Sequence, residues 1–293
     1  MSLLDGDVLT KIECGLCKLL PQCQPDQAAA LNQALRYAVF PGGKRLRPVL
    51  AVLGSRIFGK EDDRVWQAAC AVEFVHASSL IIDDLPCMDD ASMRRGNPAL
   101  HCVFGEDIAL LAGIALLNQA YAIFGQTPEL IREATECIGV NGMIGGQAID
   151  LEPYTEETSL AERNRKTSAL IRLAATAGAL AYGVSRDELA PLAAAGQCLG
   201  HAYQVYDDLR DAGSASQSTG KTVGQDLRHN RPSHAVRFDV AACYEELFGL
   251  IEETRRSLME AYGPGIGVAG LMGFIDRIFG LRAAGLTGRA GAE

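Results

Sequence analysis

Apolar residues recur every three or four positions along most of this chain. Leu31, Ala34, Leu35 and Ala38 form one stripe, and Val65, Ala68, Ala69 and Val72 form another, which is the spacing of one face of an α-helix. Alanine is abundant, alternating β-branched runs are nearly absent, and no Asn-Gly turn separates strand-like segments. The pattern predicts an all-α protein. Turn signals fall at Pro41-Gly42-Gly43, Gly96-Asn97-Pro98, Gly145-Gly146, Gly213 to Gly220, and Pro232. No long polar linker separates two halves, so residues 1–293 are expected to form a single domain.

Hydrophobic residues make up 48% of the 293 and charged residues 22%, with a net charge of −9. That balance belongs to soluble globular proteins. It argues against a nucleic-acid binder, which needs a basic face to displace counterions. Nine scattered cysteines suit reduced thiols and a cytoplasmic location better than a disulfide framework. Cys14 and Cys17 form a CxxC with Cys23 nearby, but no further ligands complete a zinc site. The first twenty residues lack the basic and apolar pattern of a signal peptide. Ile108 to Gly125 approaches spanning length, yet it holds Asn118 and Gln119 and lacks basic flanks, so a buried helix is expected there and no membrane span.

Two acidic runs carry the chemistry. Asp83-Asp84-Leu85-Pro86-Cys87-Met88-Asp89-Asp90 follows Leu80-Ile81-Ile82, and Asp207-Asp208-Leu209-Arg210-Asp211 follows Tyr203 to Tyr206. Crowding carboxylates at the end of an apolar segment costs desolvation and repulsion. Hard divalent cations with oxygen ligands offset that cost, and magnesium suits a site that shares carboxylates with phosphate oxygens. One such run alone would be a solvated helix end. Two of similar pattern beside basic segments point to a metal-bridged diphosphate. Asp207 and Asp211 are four apart and share a helix face. Asp83 and Asp89 are six apart, and Pro86 is expected to end the helix and let the chain curl Asp89 back.

The basic residues come in four places. Gly42-Gly43-Lys44-Arg45-Leu46-Arg47-Pro48 combines flexible backbone with three cations, the make-up of a diphosphate cradle. Arg94-Arg95-Gly96 follows the first acidic run, and Lys166-Thr167 and Thr219-Gly220-Lys221-Thr222 supply the rest. The last resembles a P-loop tail, but Gly213 stands seven rather than five residues before Gly220, and no strand precedes it. His76 lies in an apolar segment and reads equally as a satisfied core histidine or a ligand. Gln147 and Gln204 are embedded in apolar context and need partners if buried. The small, polar segment Ala212 to Thr219 predicts a mobile loop after the second acidic run, placed to close over a bound ligand.

Taken together these motifs resemble the trans-isoprenyl diphosphate synthases, the family of farnesyl and geranylgeranyl diphosphate synthases. The resemblance spans nearly the whole chain: GGKRLRP at 42–48, HASSLIIDDLPCMDD at 76–90, RRG at 94–96, GGQAIDL at 145–151, KT at 166–167, YQVYDDLRD at 203–211 and GKTVGQD at 220–226. It implies helices around a deep central cavity, a homodimer, and condensation of isopentenyl diphosphate with allylic diphosphates. It implies about three magnesium ions held by Asp83, Asp84 and Asp89 on one wall and Asp207, Asp208 and Asp211 on the other. The allylic diphosphate would contact Arg94, Lys166, Thr167, Gln204 and Lys221, and isopentenyl diphosphate would contact Lys44, Arg47, His76 and Arg95. Asp83, Asp84, Asp89, Asp207, Lys166 and Lys221 would carry the catalysis.

The resemblance also places product length on the helix before Asp83, where a bulky residue five positions upstream stops growth at the farnesyl stage. Here that residue is Ser78, with Ser79 beside it and Val75 and Ala71 deeper, so geranylgeranyl diphosphate is the expected main product. A farnesyl or longer-chain product, a class I terpene cyclase and a non-catalytic partner subunit remain the alternatives. Three stretches depart from the family pattern: Ala91-Ser92-Met93, Ile114 in place of the common Asp, and Arg231-Pro232-Ser233-His234.

Overall fold

A computed structural model of the chain describes residues 6–24, 27–40, 43–152, 165–213 and 240–281, with the side chains of 211–213 excepted. Across these residues the helical periodicity is realised as α1 (Gly6–Leu19), α2 (Ala29–Val39), α3 (Leu46–Arg56), α4 (Asp63–Asp83), α5 (Leu100–Phe104), α6 (Glu106–Phe124), α7 (Pro128–Ile138), α8 (Met143–Leu151), α9 (Arg165–Tyr182), α10 (Arg186–Gly213), α11 (Val240–Tyr262) and α12 (Ile266–Ile278). Strand pairing among the described residues is confined to a hairpin of β1 (Met93–Arg94) and β2 (Asn97–Pro98). The all-α expectation holds.

Helix α4 is the central member. It starts at an N-cap, where the Asp62 side chain accepts from the backbone N–H groups of Arg64 and Val65. It then packs against α1, α3, α6 and α9. Its buried residues include Val72, Phe74, Val75 and Ser78, so almost every face is covered and no amphipathic stripe remains. Residues from α1 to α12 contribute to one large apolar cluster, with Phe74, Phe124 and Phe274 among its largest buried side chains.

The expectation for 108–125 needs correction. Helix α6 was expected to be buried, but only 39% of its apolar window is, against 72% for α4. Leu110, Leu111 and Ile114 are about half exposed on its outer face. By length and composition α4 also reaches spanning length, a second stretch that the sequence reading passed over.

Helix α10 runs through Pro191, which cannot donate to the helix ladder. Next to it, the Tyr262 hydroxyl accepts from Leu192 N–H at 3.1 Å and donates to the Glu188 carbonyl at 2.9 Å. A side chain thus stands in for one rung of the ladder, and the last residue of α11 is tied to α10.

Candidate active site

Helix α4 ends at Asp83, and the chain turns at once: Asp89 N–H donates to the Asp83 carbonyl at 2.9 Å, and Ala91 N–H to that of Asp84 at 3.2 Å. The curl expected around Pro86 is therefore present. Asp83 and Asp84 are buried, and burial pushes both carboxyls up. The Asp89 charge pushes both in the same direction, so the three carboxylates are close enough to repel. Lys166 ion-pairs with Asp83, and Arg94 forms a forked pair with Asp84, with Nε 2.9 Å from Oδ1. No three acidic, histidine or cysteine side chains among the described residues stand at metal-ligand geometry. The donor set nonetheless fits a hard cation, because the carboxyls of Asp83 and Asp84 stay raised by burial and by the Asp89 charge even beside Lys166 and Arg94.

Arg94 and Arg95 reach the site on the hairpin. Its two turn residues, Arg95 and Gly96, have φ of 53° and 80°, the left-handed pair of a two-residue hairpin turn. Arg95 Nη2 and Arg47 Nη1 each lie 3.2 Å from His76 Nε2. A guanidinium only donates, so Nε2 accepts and the proton sits on Nδ1. Burial and the neighbouring Arg47 and Arg95 hold His76 well below the usual histidine range. Arg47 Nε is buried without a partner. Lys44 is exposed beside Gly43, where an added Cβ would stand 2.9 Å from the Arg95 guanidinium carbon.

Arg45 does not belong to that cradle, although its sequence neighbours suggested it. Its buried guanidinium turns away to Glu13 and Glu73, both at 2.7 Å. The run therefore contributes Lys44 and Arg47 to the open side and keeps its middle cation inside.

The second acidic run reaches the arginine cluster from α10. The charge of Asp207 acts on Arg47, as does the Tyr203 hydroxyl. Asp208 accepts from Gln204 Nε2 at 3.0 Å, and Gln204 Oε1 accepts from Thr167 at 3.2 Å, so α9 and α10 are joined beside the carboxylates. Helix α8 approaches the start of α9 so closely that a Cβ on Gly146 would lie 2.3 Å from the Lys166 backbone nitrogen. Only glycine fits there. Gln147 Oε1 next to it is buried without a partner. Ser78 is buried and donates to the Gly113 carbonyl of α6 at 2.8 Å, while Ser79 donates to the His76 carbonyl. Val75 and Ala71 are fully buried below. The loop expected from Ala212 starts later, since Ala212 and Gly213 still belong to α10; residues 214–219, Lys221, the Asp211 side chain and Arg231 to His234 lie outside the described residues.

Two features escaped the sequence reading. One is the Glu13–Arg45–Glu73 cluster, for which an acid at 73 inside an apolar run was the available signal. The other is His101, whose charge acts on Asp84 and whose Nδ1 is buried without a partner.

Residues 28–261 match the polyprenyl synthetase family. A geranylgeranyl pyrophosphate synthase of Arabidopsis thaliana is 41% identical over 220 residues, which is 69% of this chain and 61% of that relative. The chain thus spans under two thirds of the length of this curated relative. An FPP/GFPP synthase from Zymomonas mobilis has the same fold, with TM-score 0.79 and 30% identity over 93% of this chain and 96% of its own. A Helicobacter pylori geranyltransferase crystallised with magnesium and isoprenyl diphosphate gives 0.78 and 27%, over 97% and 100%. With the family match over residues 28–261, most of its length, the chain belongs to the polyprenyl synthetase family.

Proposed function

We propose that this protein condenses isopentenyl diphosphate with allylic diphosphates, with geranylgeranyl diphosphate as its main product. The observation that carries the reading is the pair of adjacent stations at the end of α4. Buried Asp83 and Asp84 lie beside Lys166 and Arg94, and about two turns back along α4 Arg47 and Arg95 converge on neutral His76. The first station suits a diphosphate that must leave, and the second a diphosphate that stays.

Bound by Asp83, Asp84, Asp89, Asp207, Asp208 and Asp211, about three magnesium ions would supply the positive charge that the leaving diphosphate needs. Lys166 and Arg94 exchange their carboxylate partners for diphosphate oxygens and hold the allylic substrate, joined by Lys221. Gln204 and Thr167 keep Asp208 in place. Arg47, Arg95, His76 and Lys44 hold isopentenyl diphosphate, so its double bond meets the allylic C1. The allylic C–O bond breaks, the double bond attacks the resulting cation, and a proton passes from the adduct to the released diphosphate. Water must be kept out while the cation exists.

The chain would grow along α4 past Ser78 toward Val75 and Ala71. The half-exposed apolar face of α6 supports a homodimer, and nine free thiols support a cytoplasmic location. Purified protein with magnesium, labelled isopentenyl diphosphate and each allylic primer should yield C20 product. Cyclic hydrocarbon would favour a cyclase, and turnover only after adding a second subunit would favour a heteromeric enzyme. A farnesyl end product would overturn the assigned length.

A further inference from the structure

Arg45 contacts one buried acid, Glu73, which lies one turn before His76 on α4, the residue that Arg47 and Arg95 both approach. Among the described residues only Arg45 is paired with it. Arg45 donates from Nη1 to Glu73 at 2.7 Å, from Nε and Nη2 to Glu13 at 2.7 and 3.2 Å, and from Nη2 to the Val39 carbonyl at 2.9 Å. Its guanidinium also lies 5.8 Å from the centre of the Phe40 ring. Arg45 is the N-cap residue of α3 and has φ of 50°, in the left-handed region.

The Glu73 charge nevertheless reaches further. It acts favourably on both Arg47 and Arg95. Their hydrogen bonds among the described residues go to a neutral ring nitrogen. A buried carboxylate without a partner is costly and recruits the nearest cation. Were Arg45 absent, Glu73 would compete with an incoming diphosphate for Arg47.

We infer that Arg45 is a positioning residue that occupies Glu73 and so keeps Arg47 and Arg95 free for diphosphate. The inference rests on the assignment of that cluster to isopentenyl diphosphate. It adds a mechanism that local spacing does not reveal: two arginines two positions apart, one neutralising the acid and one left to bind.

Inorganic pyrophosphate in magnesium-free buffer, followed by calorimetry, reads this station without turnover. Arg45→Met should weaken its binding about tenfold or more, the scale of one lost charge-assisted contact. Glu73→Gln alone should bind as the wild type does or more tightly, because the competing charge is gone. Arg45→Met combined with Glu73→Gln should recover to within about threefold of the wild type. A purely structural Arg45 predicts the opposite, with the double variant as weak as Arg45→Met. That result, or an unchanged Arg45→Met, overturns the inference while wild-type binding still supports the diphosphate station. Absence of wild-type binding overturns the station itself and the inference with it. If Arg45→Met does not fold, Glu73→Gln decides, since tenfold weakening there contradicts a competing role.

Discussion

His76 shows how one residue reports the charge around it. Its ring is held below the usual histidine range by burial and by the facing Arg47 and Arg95. A base whose folded pKa is depressed takes up its proton in the unfolded chain first, so stability is lost as pH falls below about 6.5. The melting temperature of the ligand-free protein should therefore drop between pH 7 and 5, and His76→Gln should flatten that part of the profile. An identical slope in both proteins would contradict the neutral ring. Asp83 has the opposite sign. Its carboxyl is raised, burial outweighing Lys166, so at neutral pH its charge is a net cost to the metal-free fold. Asp83→Asn should melt at the same temperature or higher while turnover falls by several orders of magnitude, the scale of lost transition-state charge stabilisation. A variant that keeps near-wild-type turnover would remove Asp83 from the chemistry.

Two side chains from the ladder and the core decide how helices meet. Tyr262→Phe removes the hydroxyl that bridges Leu192 N–H and the Glu188 carbonyl beside Pro191. A cost of about 1 kcal/mol is expected, seen as an earlier urea midpoint with an unchanged slope; no change would mean that water replaces the hydroxyl fully. Ser78 joins α4 to the Gly113 carbonyl of α6, so the growing chain would pass a junction of two helices. Ser78→Tyr should shift product from C20 toward C15, judged by chain-length analysis of the labelled products. An unchanged distribution would place the floor elsewhere, with fully buried Phe74 the next residue to test. That Ser78 is small was legible in the sequence. That its hydroxyl is spent on α6 was not, because the acceptor lies 35 residues away and is a backbone carbonyl.

At the scale of the molecule, α6 carries Leu110, Leu111 and Ile114 about half exposed on a helix otherwise anchored by Ala109, Ala112 and Leu116. Uncovered apolar side chains at that spacing suit a second copy of the chain. For the proposed homodimer, Leu111→Glu with Ile114→Glu should halve the mass read by light scattering, and a dimeric mass kept in the variant would refute that face as the interface. Helix content, the two carboxylate runs and the curl at Pro86 were legible in the residues because each depends on neighbours a few positions apart. The pairing of charges was not. Lys44, Arg45 and Arg47 are equal in sequence, yet Arg45 is buried between Glu13 and Glu73 while Arg47 faces His76. Likewise Lys166 meets Asp83 across 83 residues. Local order sets periodicity and turns, since those forces act within a few residues. Only the packed helices decide which cation meets which acid, because an ion pair depends on distance in space and on how much water the fold removes.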